Sequence, residues 1–192
     1  YAEGRSPVSD LYLASLLSWS DQIYGECAEE KIVALCGIFA SAPKGDVVEI
    51  GSSFGKSAFV LNRLATAHKV GATLAIDPWD MEISIQHDSP ADIQELADQW
   101  DWSVVFDAFR LNTMALTAPP FNYLPVPSHV AWEQYAAGRP VESAEYGRTE
   151  YTGKIAVLHI DGNHDEAAVQ LDFDLWTQRI VPGAWVIFDD YV

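Results

Sequence analysis

The chain has few basic side chains. Its 192 residues include 11 lysines and arginines against 28 aspartates and glutamates, which gives a formal net charge of −17. Nucleic acids and anionic membranes bind proteins through basic side chains that neutralise their phosphates. The charge therefore argues against nucleic acid and membrane as partners, and it favours a small neutral or cationic ligand.

Cysteine and long apolar runs are also scarce. The two cysteines, Cys27 and Cys36, lie nine residues apart on a predicted helix, which is too far for a disulfide. A zinc site would need further cysteines or clustered histidines. No apolar run approaches the roughly 20 residues that cross a membrane, and no signal-peptide pattern opens the chain. These absences predict reduced thiols and a cytoplasmic location.

The hydrophobic content is sufficient for one folded domain. It amounts to 49% of the residues, and a chain of this length can bury a sizeable core. Apolar segments alternate with segments of helical periodicity, which predicts an α/β fold with a doubly wound, mostly parallel, Rossmann-like sheet. We expect a single domain over 1–192, with extra N-terminal helices in 1–44 and the core in 45–192. The predicted strands are 46–50, 72–76, 121–126, 155–160 and 184–188.

The predicted helices fill most of the remaining sequence. The first begins near Ser6–Pro7, and a polar loop is expected over 138–153. The other predicted helices are 28–41, 57–69, one or two within 90–118, 128–137 and 165–180.

A glycine turn follows the first predicted strand. The strand ends at Glu49 and Ile50 and continues into Gly51, Gly55 and a helix that starts at Ser57. A buried strand, a glycine turn and a helix N-terminus together form a nucleotide-type site. A P-loop would need four residues between its glycines, but only three separate Gly51 from Gly55.

The carboxylate of Glu49 indicates which nucleotide is favoured. It would repel phosphates, whereas it suits a ligand with positive charge and hydroxyl groups. S-adenosylmethionine carries a sulfonium, an ammonium group and a ribose diol, and it has no phosphate. The pattern therefore favours S-adenosylmethionine. A phosphate-binding nucleotide hydrolase and a glycine turn without a ligand remain the alternatives.

The second predicted strand also ends at an acidic residue. Asp77 follows it directly, where a carboxylate can accept hydrogen bonds from ribose hydroxyls. A carboxylate after a buried strand also needs a partner. Trp79 either covers the adenine face or packs in the core. Asp77 is accordingly predicted to contact the cofactor.

Three carboxylates follow the last two predicted strands. Asp161 comes after 155–160, and Asp189 and Asp190 come after 184–188. If the two strands are neighbours, these carboxylates meet at one edge of the sheet and require a cation. Oxygen ligands predict a hard divalent metal ion, with Mg²⁺ first and Ca²⁺ or Mn²⁺ next. The alternative is that Asp190 faces solvent and Asp161 caps the next helix.

Two histidines lie close to Asp161 in the sequence. His164, in the strand-to-helix loop, is a candidate base for an acceptor hydroxyl; orienting a metal ligand or capping the helix are the alternatives. His159 lies inside the strand and is predicted to be a hydrogen-bonded core side chain. Metal-assisted methyl transfer would use His164 and Asp161 as catalytic residues. A binding or scaffold protein that keeps the fold without the chemistry remains an alternative.

Two blocks of the sequence resemble a known family. Residues 49–57 with 76–79, and residues 158–164 with 187–191, are similar in order and spacing to class I S-adenosylmethionine-dependent methyltransferases. The closer likeness is to the metal-dependent O-methyltransferases that act on macrolide sugars and aminocoumarins. Catechol O-methyltransferase is a distant relative. The resemblance implies methyl transfer to a hydroxyl of a small molecule, a natural-product sugar or a phenol.

The resemblance also implies where ligands bind. The implied metal ligands are Asp161, Asp189 and Asp190, and the variable residues 79–153 are expected to cover the acceptor with the N-terminal helices. Folds of this family usually add two further strands, so we expect the last strands to be missing from this chain. The oligomeric state stays open, a homo-oligomer included. The implied cofactor-binding residues are Glu49, Gly51, Ser52, Gly55, Ser57, Asp77, Trp79 and Ser128.

Overall fold

The structure, a computed structural model, describes residues 8–25, 27–84 and 99–189. Its helices are α1 (Asp10–Ser20), α2 (Glu29–Ser41), α3 (Lys56–His68), α4 (Met81–Ser84), α5 (Trp102–Leu116), α6 (Ser128–Ala136) and α7 (Glu166–Trp176). Its strands are β1 (Asp46–Ile50), β2 (Thr73–Ile76), β3 (Phe121–Leu124), β4 (Val141–Ser143), β5 (Gly147–Thr149), β6 (Ile155–Ile160) and β7 (Ile180–Phe188).

Five strands form one parallel sheet. Their order is β3-β2-β1-β6-β7, and β4 and β5 form a separate antiparallel hairpin. The order reverses between β1 and β6, because the chain moves outward from β1 to β3 and then returns to the other side. Ligands of open α/β sheets bind at the carboxyl ends of the strands at such a switch point. The predicted doubly wound, Rossmann-like fold is therefore confirmed.

Helices cover both faces of this sheet. Alternate strand residues point to opposite faces, so Val47 and Val157 pack towards α1–α3, while Val48 and Leu158 pack towards α6 and α7. Within the described residues, no helix combines the length and apolar character that would let it cross a membrane. The largest helix side chains buried against the two faces are Leu16, Ile32, Leu35, Phe39, Phe59, Tyr135 and Trp176.

The hairpin and the element ends differ from the sequence prediction. The prediction of a polar loop over 138–153 is wrong where β4 and β5 pair, because the Asn122 side chain donates to the carbonyls of Val141 (3.1 Å) and Gly147 (2.9 Å). Helix α7 ends at Trp176, and β7 begins directly after a short 3₁₀ turn. The helix start predicted at Ser6–Pro7 and the first part, 90–98, of the helical region predicted over 90–118 lie outside the described residues.

The two cysteines are both free and buried. Cys27 lies before α2, so the two cysteines do not share a helix.

Helix α1 begins after Ser9, whose hydroxyl accepts a hydrogen bond from the N–H of Tyr12 at 3.2 Å, a typical N-cap.

Gly51 lies where β1 meets the loop that follows β6. Its φ is +84°, and a Cβ at this position would lie 1.9 Å from the carbonyl oxygen of Asp161. Asp161 N–H donates to the carbonyl of Ile50 at 2.8 Å, which holds the two segments together. Because only glycine combines this conformation with this approach, Gly51 places the glycine turn directly beside Asp161.

We expect Gly51→Ala to lower the free energy of unfolding by about 2–5 kcal/mol. The left-handed conformation contributes about 1–2 kcal/mol, and overpacking against the backbone contributes about 1–3 kcal/mol. Urea denaturation followed by circular dichroism measures the change.

Gly138→Ala is the matched control. Gly138 also has a positive φ, +66°, but nothing lies within 4 Å of an added Cβ. Its loss should stay near the conformational cost of about 1–2 kcal/mol. Equal losses for the two variants would contradict the close approach of Gly51 to Asp161.

Candidate active site

The polar side chains of the site lie on the sheet face that α1–α3 cover. Val47 and Val157 pack on that face, and Glu49 and His159 follow them by two residues, so their side chains point the same way. Glu49 and His159 are partners in the β1–β6 register, and both are fully buried. This buried polar pair therefore lies beside the switch point of the sheet.

Asp77 holds the backbone of the glycine turn. Its Oδ2 accepts hydrogen bonds from the N–H groups of Ser52 (3.0 Å) and Ser53 (2.9 Å), and its Oδ1 accepts one from Trp79 N–H (2.8 Å). Burial raises the pKa of Asp77 to about 6, although the three backbone hydrogen bonds act in the opposite direction. About one of its four lone-pair positions is left for a ligand.

Glu49 connects the glycine turn to His159. One carboxylate oxygen accepts the hydroxyl of Ser52 at 2.7 Å, and the other lies 3.1 Å from Nδ1 of His159. Since a carboxylate can only accept, Nδ1 carries a proton, and in the neutral ring Nε2 carries the lone pair. Among the described residues, Nε2 is a buried atom without a hydrogen-bond partner. The prediction of a fully hydrogen-bonded His159 is therefore wrong for this nitrogen.

Asp161 and Asp189 meet around the ammonium group of Lys31. From the first turn of α2, Lys31 Nζ lies 3.4 Å from Asp161 Oδ2 and forms a hydrogen bond with Asp189. A cation in the first turn is unfavourable for the helix dipole, and the two carboxylates compensate for it. Asp190, the third predicted metal ligand, lies outside the described residues.

The pKa values of Asp161 and Asp189 are shifted in opposite directions. Burial raises the pKa of Asp161, and the neighbouring His164 side chain and the charge of Lys31 only partly offset it. Burial also acts on Asp189, but the hydrogen bond and charge of Lys31 outweigh it and lower the pKa of Asp189. Two carboxylates at one partly buried point both ionise only beside a cation.

His164 lies on the open side of this pair. Its Nε2 is 3.8 Å from Asp161 Oδ1, and its side chain is 33% exposed. The loop between β6 and α7 carries it, so it follows directly from the strand end that positions Asp161. A histidine placed between a buried carboxylate and solvent can take up and release a proton.

Other predicted cofactor residues also make contacts within the protein. Trp79 packs its ring against Phe106 and Phe109, with centroids 4.7 and 4.5 Å away. The Ser128 hydroxyl donates to Asp172 where α6 meets α7, on the opposite sheet face from Glu49. The remaining two lie where α3 begins: Gly55 is the N-cap, and Ser57 is in the first turn.

The linker between α1 and α2 lies against the glycine turn. The ring of Phe54 contacts those of Tyr24 and Trp100, with centroids 5.0 and 5.4 Å away. Lys56 Nζ donates to the carbonyl of Gly25 at 3.0 Å. Aromatic rings of the linker and of Trp100 therefore flank the turn. An open hollow in the linker is lined by Asp21, Ile23, Tyr24 and Gly25.

The sequence did not predict that Lys31 contacts Asp161 and Asp189. It also did not predict that Nε2 of His159 lacks a hydrogen-bond partner among the described residues. Lys31 is 130 residues from Asp161, and a lone lysine on a helix predicts only a solvated side chain. Its signal was its position in the first turn, where a basic residue is unfavourable. The signal for His159 was a polar residue inside an apolar strand, opposite Glu49 once β1 and β6 are aligned.

A family model described as a methyltransferase domain matches residues 48–191. The match contains the glycine turn, Asp77, Asp161 and Asp189, and it begins after α1 and α2. No curated protein matches the chain significantly.

Solved structures share the fold at low identity. The calicheamicin methyltransferase CalS11 is 10% identical, with a TM-score of 0.53 over 99% of this chain and 84% of that chain. The O-methyltransferase NovP is 20% identical, with a TM-score of 0.50 over 93% of this chain and 64% of its own. Precorrin 8W decarboxylase from Methanobacterium thermoautotrophicum is 12% identical, with a TM-score of 0.54 over 90% and 68%. At these identities the likeness shows the fold.

The family match, the sheet order and the glycine turn between β1 and α3 agree with one another. The solved methyltransferases share this class I fold. The chain therefore belongs to the methyltransferase-domain family and is a class I S-adenosylmethionine-dependent methyltransferase.

Proposed function

We propose that this methyltransferase acts on a hydroxyl of a small molecule, a natural-product sugar or a phenol, with help from a divalent metal ion. The observation that carries the proposal is the pair of carboxylates, Asp161 and Asp189, gathered around one cation beside the glycine turn. The charge of −17 supports a neutral or cationic acceptor, because it repels polyanions.

The residues present fit a metal ion. The side chains of Asp161 and Asp189 are only 20% and 22% exposed, and anions so placed require a positive partner. The Lys31 ammonium provides it here, so a metal ion would take its place. The two carboxylates alone are an oxygen set typical of Mg²⁺, and Asp190 is the third ligand that the proposal includes.

The chemistry is an in-line displacement. S-adenosylmethionine supplies an electrophilic methyl carbon, and the new O–C bond forms as the C–S bond breaks. A bound metal ion would lower the pKa of the acceptor hydroxyl. His164 receives the hydroxyl proton and passes it to solvent. The protein otherwise contributes positioning, since Asp77 and Gly51 fix the turn beside Asp161.

Different parts of the single domain are assigned to the cofactor and to the acceptor. We assign the cofactor to the glycine turn, and we assign the cover over the acceptor to 79–153 and the N-terminal helices. The ring contacts of Tyr24, Phe54 and Trp100 support this cover, because they join both segments to the turn. The assigned cofactor-binding residues are Glu49, Gly51, Ser52, Gly55, Ser57, Asp77, Trp79 and Ser128.

The hydrogen bonds of the turn argue against a nucleotide hydrolase. A P-loop uses backbone N–H groups and a lysine to hold phosphates. Here the N–H groups of Ser52 and Ser53 donate to Asp77, and Lys56 donates to the carbonyl of Gly25. A non-catalytic protein of the same fold is tested by the turnover measurement below.

Asp77→Ala should weaken binding of S-adenosylhomocysteine by about 1–3 kcal/mol, because a buried acceptor is lost. It should also lower the stability of the ligand-free protein, since Ser52 and Ser53 lose their acceptor. Calorimetry and urea denaturation measure the two effects. Asp101→Ala is the control, because this exposed carboxylate accepts the N–H of Ser103. Preferential binding of ATP by the wild type would overturn the cofactor assignment.

Removal of the metal should stop turnover without loss of the cofactor. The assay follows S-adenosylhomocysteine formation with a panel of sugars, vicinal diols and catechols. EDTA should abolish turnover, Mg²⁺ or Mn²⁺ should restore it, and calorimetric affinity for S-adenosylhomocysteine should stay within about twofold. Asp189→Asn should behave like EDTA, and the exposed Asp174→Asn should behave like wild type. Full turnover after exhaustive chelation would refute metal assistance.

His164→Ala should lower the turnover rate by about 10²–10⁴-fold, the range for loss of a general base. Affinity for the metal and for S-adenosylhomocysteine should be unchanged, because the side chain is assigned to proton transfer alone. His129→Ala, an exposed histidine on α6, is the control. An unchanged rate and pH profile would exclude His164 as the base.

A further inference from the structure

The Nε2 atom of His159 lies beside Asp161 and Asp189 without a hydrogen-bond partner among the described residues. It is buried, and it has no hydrogen bond within the described part of the chain. It lies 3.8 Å from Asp161 Oδ2, too far for a hydrogen bond. A buried nitrogen lone pair facing a carboxylate is unfavourable unless a cation lies between them.

The surroundings of His159 fix which nitrogen is available. The Glu49 carboxylate, 3.1 Å from Nδ1, accepts a hydrogen bond from the Nδ1 proton, so Nε2 is the lone-pair atom of the neutral ring. A carboxylate that holds the far nitrogen of a histidine in this way is the usual support of a metal-ligating imidazole. Both side chains project from central strands of the sheet, β1 and β6, so the ring is held rigidly.

We propose that His159 Nε2 is the nitrogen ligand of the metal site that includes Asp161 and Asp189. One ligand atom from each of the three residues lies within 4.8 Å of the other two. This inference rests on the metal assistance proposed above and changes the expected ion. Imidazole nitrogen favours first-row transition ions over Mg²⁺ and Ca²⁺. The site therefore takes a divalent ion of the Mn²⁺ or Fe²⁺ type.

Lys31 is the competitor for this site. Its ammonium contacts both carboxylates from α2, at the position where a metal ion would bind them. The ion must therefore displace a tethered cation, which weakens metal affinity and couples metal binding to a movement of the Lys31 side chain. Replacement of Lys31 by methionine keeps an unbranched apolar side chain, one atom shorter, and removes the competing charge.

The experiment measures Mn²⁺ and Mg²⁺ binding to the full chain by calorimetry and by Mn²⁺ electron paramagnetic resonance. The variants are His159→Asn, Lys31→Met and the control His129→Asn. Asparagine retains a donor for Glu49 and lacks the atom equivalent to Nε2. His159→Asn should lose about 10–100-fold in Mn²⁺ affinity, a typical effect of altering a metal site, and change Mg²⁺ affinity by less than about threefold. Lys31→Met should gain affinity for both ions.

A second measurement uses the wild-type protein, so that the proposal can be tested even if His159→Asn does not fold. Pulsed electron paramagnetic resonance of bound Mn²⁺, with ¹⁵N-labelled histidine, should show a directly coordinated nitrogen. Equal affinity for Mn²⁺ and Mg²⁺ without nitrogen coupling would overturn the role of His159 and leave metal assistance intact. No metal binding to the wild type or to Lys31→Met would overturn both.

Discussion

The shared cation of Asp161 and Asp189 is the interaction on which the site depends. The two carboxylates end neighbouring strands at the switch point, and neither is exposed enough for water alone to solvate it. Their mutual repulsion is relieved by Lys31, which comes from a helix outside the family match. The same electrostatic demand thus ties the N-terminal helices to the sheet, and it is the reason for the metal ion that we propose here.

A continuous chain of polar contacts joins the glycine turn to the two carboxylates. Asp77 holds Ser52, the Ser52 hydroxyl bonds Glu49, and Glu49 orients His159 towards Asp161. All of these groups except Asp161 are buried at the ends of central strands. Because each member fixes the next, a methyl donor at the turn and an acceptor at the carboxylates would be held at a set distance, which is what an in-line displacement requires.

The sequence predicted the sheet and the strand-end acids, because both follow from local patterns. Apolar runs that end in Glu49, Asp77 and Asp161 are visible in the chain, and parallel strands gather their ends at one edge. The β4–β5 hairpin was missed because its cause is the distant side chain of Asn122. Lys31 was missed for the same reason, since no local pattern links it to carboxylates 130 and 158 residues away.

The most direct test is a crystal structure with S-adenosylhomocysteine and Mn²⁺, recorded with anomalous data. The account predicts one anomalous peak at about 2.0–2.3 Å from ligand atoms of Asp161 and Asp189, with the Lys31 ammonium moved away and the cofactor product on the glycine turn. S-adenosylhomocysteine bound with Lys31 still between the two carboxylates, and no anomalous peak beside them, would contradict it.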